Sequence, residues 1–167
     1  YPSRSPSMTA VRSVSTPPSA NRTTVRLPHT AMARPTDPSD PSCPCASGRP
    51  ESACCAAHSA ERLAGGCGAA TPEALMRSRY RAYVRGDLDY LRTTWHPSTC
   101  PSDLEHDPKT RWLGLEIRHA STEGERGTVE FVARYKIGGR AYRLHEISRF
   151  VREDGRWFYV DGDFPAS

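Results

Sequence analysis

The chain contains no apolar run that approaches the ~18 residues of a transmembrane helix, so a membrane-spanning helix is excluded. It has no glycine-rich phosphate loop, no nucleophile elbow and no His-x-x-x-His pair. Those absences remove the commonest local signatures of nucleotide, serine-hydrolase and metallohydrolase chemistry. No segment repeats, and no apolar leader core is present, so secretion is not expected. Hydrophobic residues make up only 37 % of the 167, below the usual ~45–50 %. That length fits one ordinary domain, or a small domain with appendages, and not a large multidomain enzyme. The net charge of +4 is a mild excess that does not by itself call for nucleic acid.

What is present is unevenly placed. Residues 1–42 hold eight prolines, eight serines and six threonines, and Tyr1 is their one aromatic. Such a segment cannot bury enough apolar surface to offset its ordering entropy, so it is expected to be a disordered extension. It carries five arginines and two aspartates, or +3 of the +4. Its first 36 residues contain arginine and serine but no acid, a transit-peptide-like composition. An upstream extension, with the usual start at Met32, is the expected reading. Residues 43–70 are rich in cysteine, alanine and glycine. Residues 71–163 hold all three tryptophans and six of the seven tyrosines, so the core belongs there. Residues 164–167 are a short tail.

Cys43-Pro44-Cys45 is followed by Cys54-Cys55, a C-x-C-x8-C-C pattern. Four thiolates can hold a tetrahedral zinc ion. Ser47-Gly48 supplies a tight return, because glycine accepts a positive φ. Disulfides are disfavoured, since a bridge between neighbouring cysteines is strained. Incidental core thiols fit poorly in a segment with almost no core. His58 is an alternative ligand in place of one sulfur. Cys67 and Cys100 lack partners at metal spacing.

Residues 43–55, Cys-Pro-Cys-Ala-Ser-Gly-Arg-Pro-Glu-Ser-Ala-Cys-Cys, resemble the SEC-C motif. This is the small zinc-binding element at the C-terminus of the SecA translocation ATPase and in several unrelated proteins. Its usual form is C-P-C-G-S-G-x5-C-C or C-H. All four ligand positions match here, as do Ser47 and Gly48, while Ala46 replaces the usual glycine. The resemblance implies Zn2+, with iron considered for relatives, and a protein or ribosome partner. Arg49 is the one basic residue within the motif.

The core reads as α+β. Thr71-Pro72-Glu73 starts a helix with a hydroxyl cap, proline at the first position and an acid in the first turn. Met76, Tyr80, Tyr83 and Val84 follow helical spacing, and Gly86 ends it. Asp87 caps a second helix with Leu88, Leu91 and Trp95 on one face, stopped by His96-Pro97. Residues 98–110 read as loop. Leu113, Leu115 and Ile117 then alternate in one strand, and Val129, Phe131, Ala133, Tyr135 and Ile137 in the next. Gly138-Gly139 and Asp154-Gly155 turn the chain into third and fourth strands.

Residues 43–163 resemble the YchJ family, and the helices-then-meander order resembles the cone-shaped nuclear transport factor 2-like fold. The stretches that carry the family resemblance are Leu75–Tyr80, Thr94–Ser98, Trp112–Leu115, Phe131–Arg134, Ser148–Phe150 and Trp157–Gly162. The resemblance implies a small four-cysteine zinc knuckle followed by a cone whose open end leaves a pocket; it implies no reaction. Candidate pocket residues are Arg79, Tyr83, Trp95, His96, Glu146, Ser148 and Asp161.

Each has a plain structural reading. His96 would cap a helix C-terminus. Glu146 shares a strand face with Ser148 and Phe150, and a buried carboxylate there would need a partner such as Arg79. Asp161 and Asp163 would sit at a solvated strand end. Arg77, Arg79, Arg81 and Arg85 crowd the first helix, with Arg77 and Arg81 on one face, and would form a solvated helix face, although they could also meet phosphate or RNA. With the folded part near neutrality, nucleic acid is not the expected partner. The expectation is a non-enzymatic, cytoplasmic metal-binding adaptor. The alternative is an enzyme or small-ligand binder using the cone pocket.

Overall fold

The computed structural model describes residues 39–166. Most of the expected extension therefore lies outside the described residues. Its last residues do not: the Glu51 N–H donates to the Pro41 carbonyl at 2.9 Å, and Ser42 bridges Pro50. Pro41 and Ser42 thus belong to the knuckle rather than to a disordered segment.

The knuckle continues through a 3-10 turn at Glu51–Ala53 into α1 (Cys55–Leu63). α2 (Pro72–Arg85) and α3 (Leu88–Thr93) follow. The signals for α2 operate as expected. The Thr71 hydroxyl accepts from the Ala74 N–H at 3.1 Å, and Gly86 leaves the helix at φ 70°. Asp87 caps α3 by accepting from the Tyr90 N–H at 3.1 Å.

Four antiparallel strands then form a meander in chain order: β1 (Thr110–Glu123), β2 (Arg126–Ile137), β3 (Arg140–Glu153) and β4 (Arg156–Asp163). The β2–β3 turn has Gly138 at φ 57° and Gly139 at φ 81°. That double positive φ is the hairpin geometry that glycine pairs provide. α2 packs on one sheet face around Phe131, Tyr135, Phe150 and Trp157, which are buried.

Two local expectations are corrected. Leu113 does not share the inner face with Leu115. A bulge between Trp112 and Gly114 turns it outward, and it is exposed. Trp95 is not on α3, which ends at Thr93. Residues 94–96 instead run alongside β4: Tyr159 N–H donates to Thr94 O at 2.8 Å and His96 N–H to Tyr159 O at 2.7 Å.

Candidate metal centre and cone interior

The four cysteines of the C-x-C-x8-C-C pattern converge. Cys43, Cys45, Cys54 and Cys55 are all buried, and their sulfurs lie within 4.8 Å of one another. Cys45 Sγ is 3.7 Å from Cys54 Sγ, which is 3.8 Å from Cys55 Sγ. A tetrahedron with Zn–S near ~2.3 Å has edges of ~3.8 Å, so the donor set fits an ion of that size. His58 is not among the four donors. The Cys45 thiol is drawn down to about 4, chiefly because the Cys55 thiol donates to it, with burial opposing. Burial raises Cys43. The hydrogen bond to Cys45, and then burial, push the Cys55 thiol far up, so without an ion one thiolate is held by protonated neighbours, and a cation would have to displace those protons.

The loop between the two cysteine pairs sets the geometry. Ala46 stands at φ 63° and Gly48 at φ 75°. Ala46 therefore occupies a left-handed conformation that glycine adopts without strain, which explains why glycine is usual there. Outside the sulfurs, Ser47 Oγ lies 3.2 Å and Arg49 Nη2 3.5 Å from Cys54 Sγ. Such contacts orient a ligand and temper its negative charge.

α2 holds the knuckle through a row of arginines four residues apart. Arg77 donates to the Cys45 carbonyl at 2.6 Å. Arg81 donates to Glu51 at 2.6 Å, and Arg85 meets the other Glu51 oxygen at 2.5 Å. The Arg85 hydrogen bond, and then Arg81, hold the buried Glu51 carboxyl below its usual range. The expectation of a solvated helix face is corrected: this face is a dock. Sequence reasoning missed Glu51, whose signal was an acid inside the x8 spacer. It also missed Arg62, which is buried, donates to Cys67 O at 3.1 Å and Thr93 O at 3.3 Å, and lies 4.5 Å over the Phe158 ring.

The cone interior gathers five of the seven candidate pocket residues. Arg79 is buried, donates to Leu91 O at 3.0 Å and to Thr94 Oγ1 at 2.8 Å, and lies 4.8 Å over Trp95 and 4.6 Å over Tyr159. Glu146 Oε1 accepts from Ser148 at 2.9 Å and from Tyr159 at 2.8 Å. Burial pushes the Glu146 carboxyl up and Tyr83 up to about 12. Glu146 Oε2 and Trp95 Nε1 are buried without a hydrogen-bond partner among the described residues. Arg79 acts on Glu146 through its charge, while its own hydrogen bonds go to α3 and Thr94, not to the carboxylate expected as its ion-pair partner.

The other two candidates stand elsewhere. His96 faces away from the cone: its ring meets Ser98 at 2.6 Å and Glu153 at 3.0 Å. Asp161 is held on the outer sheet face by Arg149 at 2.6 Å, with Asp163 at 2.5 Å. Both residues belong to surface pairings.

The model of the family described as "YchJ, middle NTF2-like domain" matches residues 71–162. The chain belongs to the YchJ family. A UPF0225 protein of Cupriavidus metallidurans is 56 % identical over 128 residues, covering 72 % of this chain and 87 % of that one. One from Ralstonia nicotianae is 54 % identical over 134 residues, covering 72 % and 90 %. The solution structure of a SEC-C motif containing protein from Rhodopseudomonas palustris matches with TM-score 0.63 and 37 % identity, covering 74 % of this chain and 98 % of that one. A Psychrobacter arcticus protein, at 24 % identity and TM-score 0.62 over 75 % and 84 %, shares the fold. The YchJ-family chain is therefore an α+β protein whose nuclear transport factor 2-like domain follows a cysteine cluster able to hold a metal. Among the described residues no helix is long and apolar enough to cross a membrane.

Proposed function

We propose that this protein is a non-enzymatic, cytoplasmic adaptor whose knuckle is held by one Zn2+ on Cys43, Cys45, Cys54 and Cys55. The spacing of the four buried sulfurs carries the reading. The ion supplies the folding free energy that a segment without an apolar core lacks. Arg77, Arg81 and Arg85 fix the knuckle to α2, which leaves the exposed loop of Ala46, Gly48 and Arg49 facing outward. Beside that loop lies a cleft of about 360 Å³, lined by Ser47, Arg49, His58, Ala74 and Arg77 among others. A protein or ribosomal partner docks on this loop and cleft.

A photo-crosslinking residue at Ala46, compared in the intact chain and a Cys54→Ser, Cys55→Ser variant, tests the reading. A discrete adduct that requires the four cysteines supports it. No adduct, or one indifferent to the cysteines, overturns it.

A second reading has its own observation. Two buried polar atoms without a partner among the described residues, Glu146 Oε2 and Trp95 Nε1, favour a small polar ligand in the cone. A ligand-library thermal shift that survives the cysteine substitutions but not Glu146→Gln is the expected result. The absence of any shift contradicts it.

A further inference from the structure

The outer face of the sheet separates its charges. Toward the β4 edge, acids answer bases. His145 meets Glu130 at 2.8 Å, and Arg149 meets Asp161 at 2.6 Å. Beside the β2–β3 hairpin, cations stand opposite cations. Arg111 is in register with Lys136, and Arg134 with Arg143. All four side chains are exposed. Opposed residues have Cβ atoms ~4.5–5.5 Å apart, where like charges destabilise a sheet. Arg134 shares Glu116, at 3.7 Å, with Arg118 at 3.6 Å. Among the described residues Arg111, Lys136 and Arg143 make no ion pair. The near-neutral charge of the folded part conceals this patch.

The two rows lie two residues apart along β2, a separation of ~7 Å on a rigid sheet. At the hairpin tip, Arg140 lies 5.7 Å over the Tyr142 ring. Tyr142 is half-exposed and stacks on Tyr135 at 5.4 Å and 15°.

The geometry points to this end of the sheet as a binding surface for a single-stranded nucleic acid, RNA or DNA through their shared phosphates. Arg111, Lys136, Arg134 and Arg143 take the phosphates, and the guanidinium fork suits that bidentate role. Tyr142 alternates to the other side of the ribbon. A strand crossing the tip places phosphates on one side and, on the other, a base on the Tyr142 face that Arg140 covers, the guanidinium moving off the ring to a phosphate. A second copy of the chain does not fit, because a two-fold contact through the patch sets its cations against themselves. An acidic protein would satisfy the cations but leave the exposed, stacked ring unused. The surface uses no knuckle residue and does not depend on the adaptor reading.

Fluorescence anisotropy with a labelled single-stranded RNA tests it, using the full chain and an Arg134→Ser, Arg143→Ser variant across a salt series. Four phosphate contacts predict a log–log salt slope of about −3 for the wild type. In the variant, the slope falls by about half and the affinity by about tenfold or more. The variant's Tm stays level or rises, because like-charge repulsion is removed. A DNA strand bound equally assigns phosphate chemistry alone; an RNA preference adds the 2′-hydroxyl. Both outcomes support the proposal. Equal RNA affinity in variant and wild type, no binding at all, or binding to polyglutamate but not to either strand overturns it.

Discussion

The knuckle buries four cysteines and almost no hydrocarbon, whereas the cone buries Leu75, Tyr80, Phe131, Phe150 and Trp157 in one continuous cluster. Each large apolar side chain of the cone contributes about 1.5–3 kcal/mol by leaving water. The knuckle has no such reserve, and a bound ion at a site of this kind supplies ~10–16 kcal/mol at neutral pH. On the zinc reading proposed above, two adjoining parts of one chain fold for different reasons. They are joined by an arginine row and one buried carboxylate rather than by a shared apolar core.

The sharpest way to break the comparison is from the cone side. Phe131→Ala opens a cavity in a fully buried position and should cost about 3–5 kcal/mol. Thermal unfolding should show a large loss in cone stability, while metal content measured below the transition stays unchanged. A variant that sheds its metal along with cone stability would mean that the two regions fold as one.

The joint comes next. Glu51→Gln leaves Arg81 and Arg85 without their charged partner and should cost about 2–3 kcal/mol. Hydrogen exchange should quicken in the knuckle more than in the strands. The depressed Glu51 carboxyl adds a pH sign. Its contribution is present above the ordinary carboxylate value and is lost as pH falls through the depressed one. The Gln variant should lack that acid-side loss.

Glu146 has the opposite sign. Burial raises its carboxyl in the folded state, so its contribution is full below the ordinary carboxylate value and is lost as pH rises through the raised one. Thermal unfolding of Glu146→Gln across pH should be flatter over that window than the wild type. Identical curves would contradict the burial argument.

The smallest effect is expected at Ala46. Ala46→Gly removes left-handed strain at φ 63° and should stabilise the knuckle by about 1 kcal/mol, read as slower hydrogen exchange there.

The elements most legible in the sequence were those with local chemistry at their ends. Thr71-Pro72 and Gly86 bound α2, Asp87 starts α3, and Gly138-Gly139 closes β2–β3, because a cap or a positive φ depends on a few adjacent residues. The cluster of Cys43, Cys45, Cys54 and Cys55 was legible for the same reason. α1 was not, because its nine residues carry no side-chain cap and are held by tertiary bonds from Arg62. The outward turn of Leu113 depends on a bulge that alternation does not encode. The role of Arg77, Arg81 and Arg85 depends on Cys45 and Glu51, some thirty residues away. His96 and Asp161, weighed both as pocket candidates and as surface residues, lie outside the cone because partners far along the chain, Glu153 and Arg149, decide where they point.

The most direct measurement is hydrogen exchange by mass spectrometry on the purified full chain, before and after a strong chelator, with metal content determined in parallel. The account predicts about one zinc per chain. Its removal should abolish protection over residues 43–63 while β2 and β3 remain protected. Protein purified without chelator that holds no metal yet protects its knuckle would contradict the account, as would a cone that loses protection together with the knuckle.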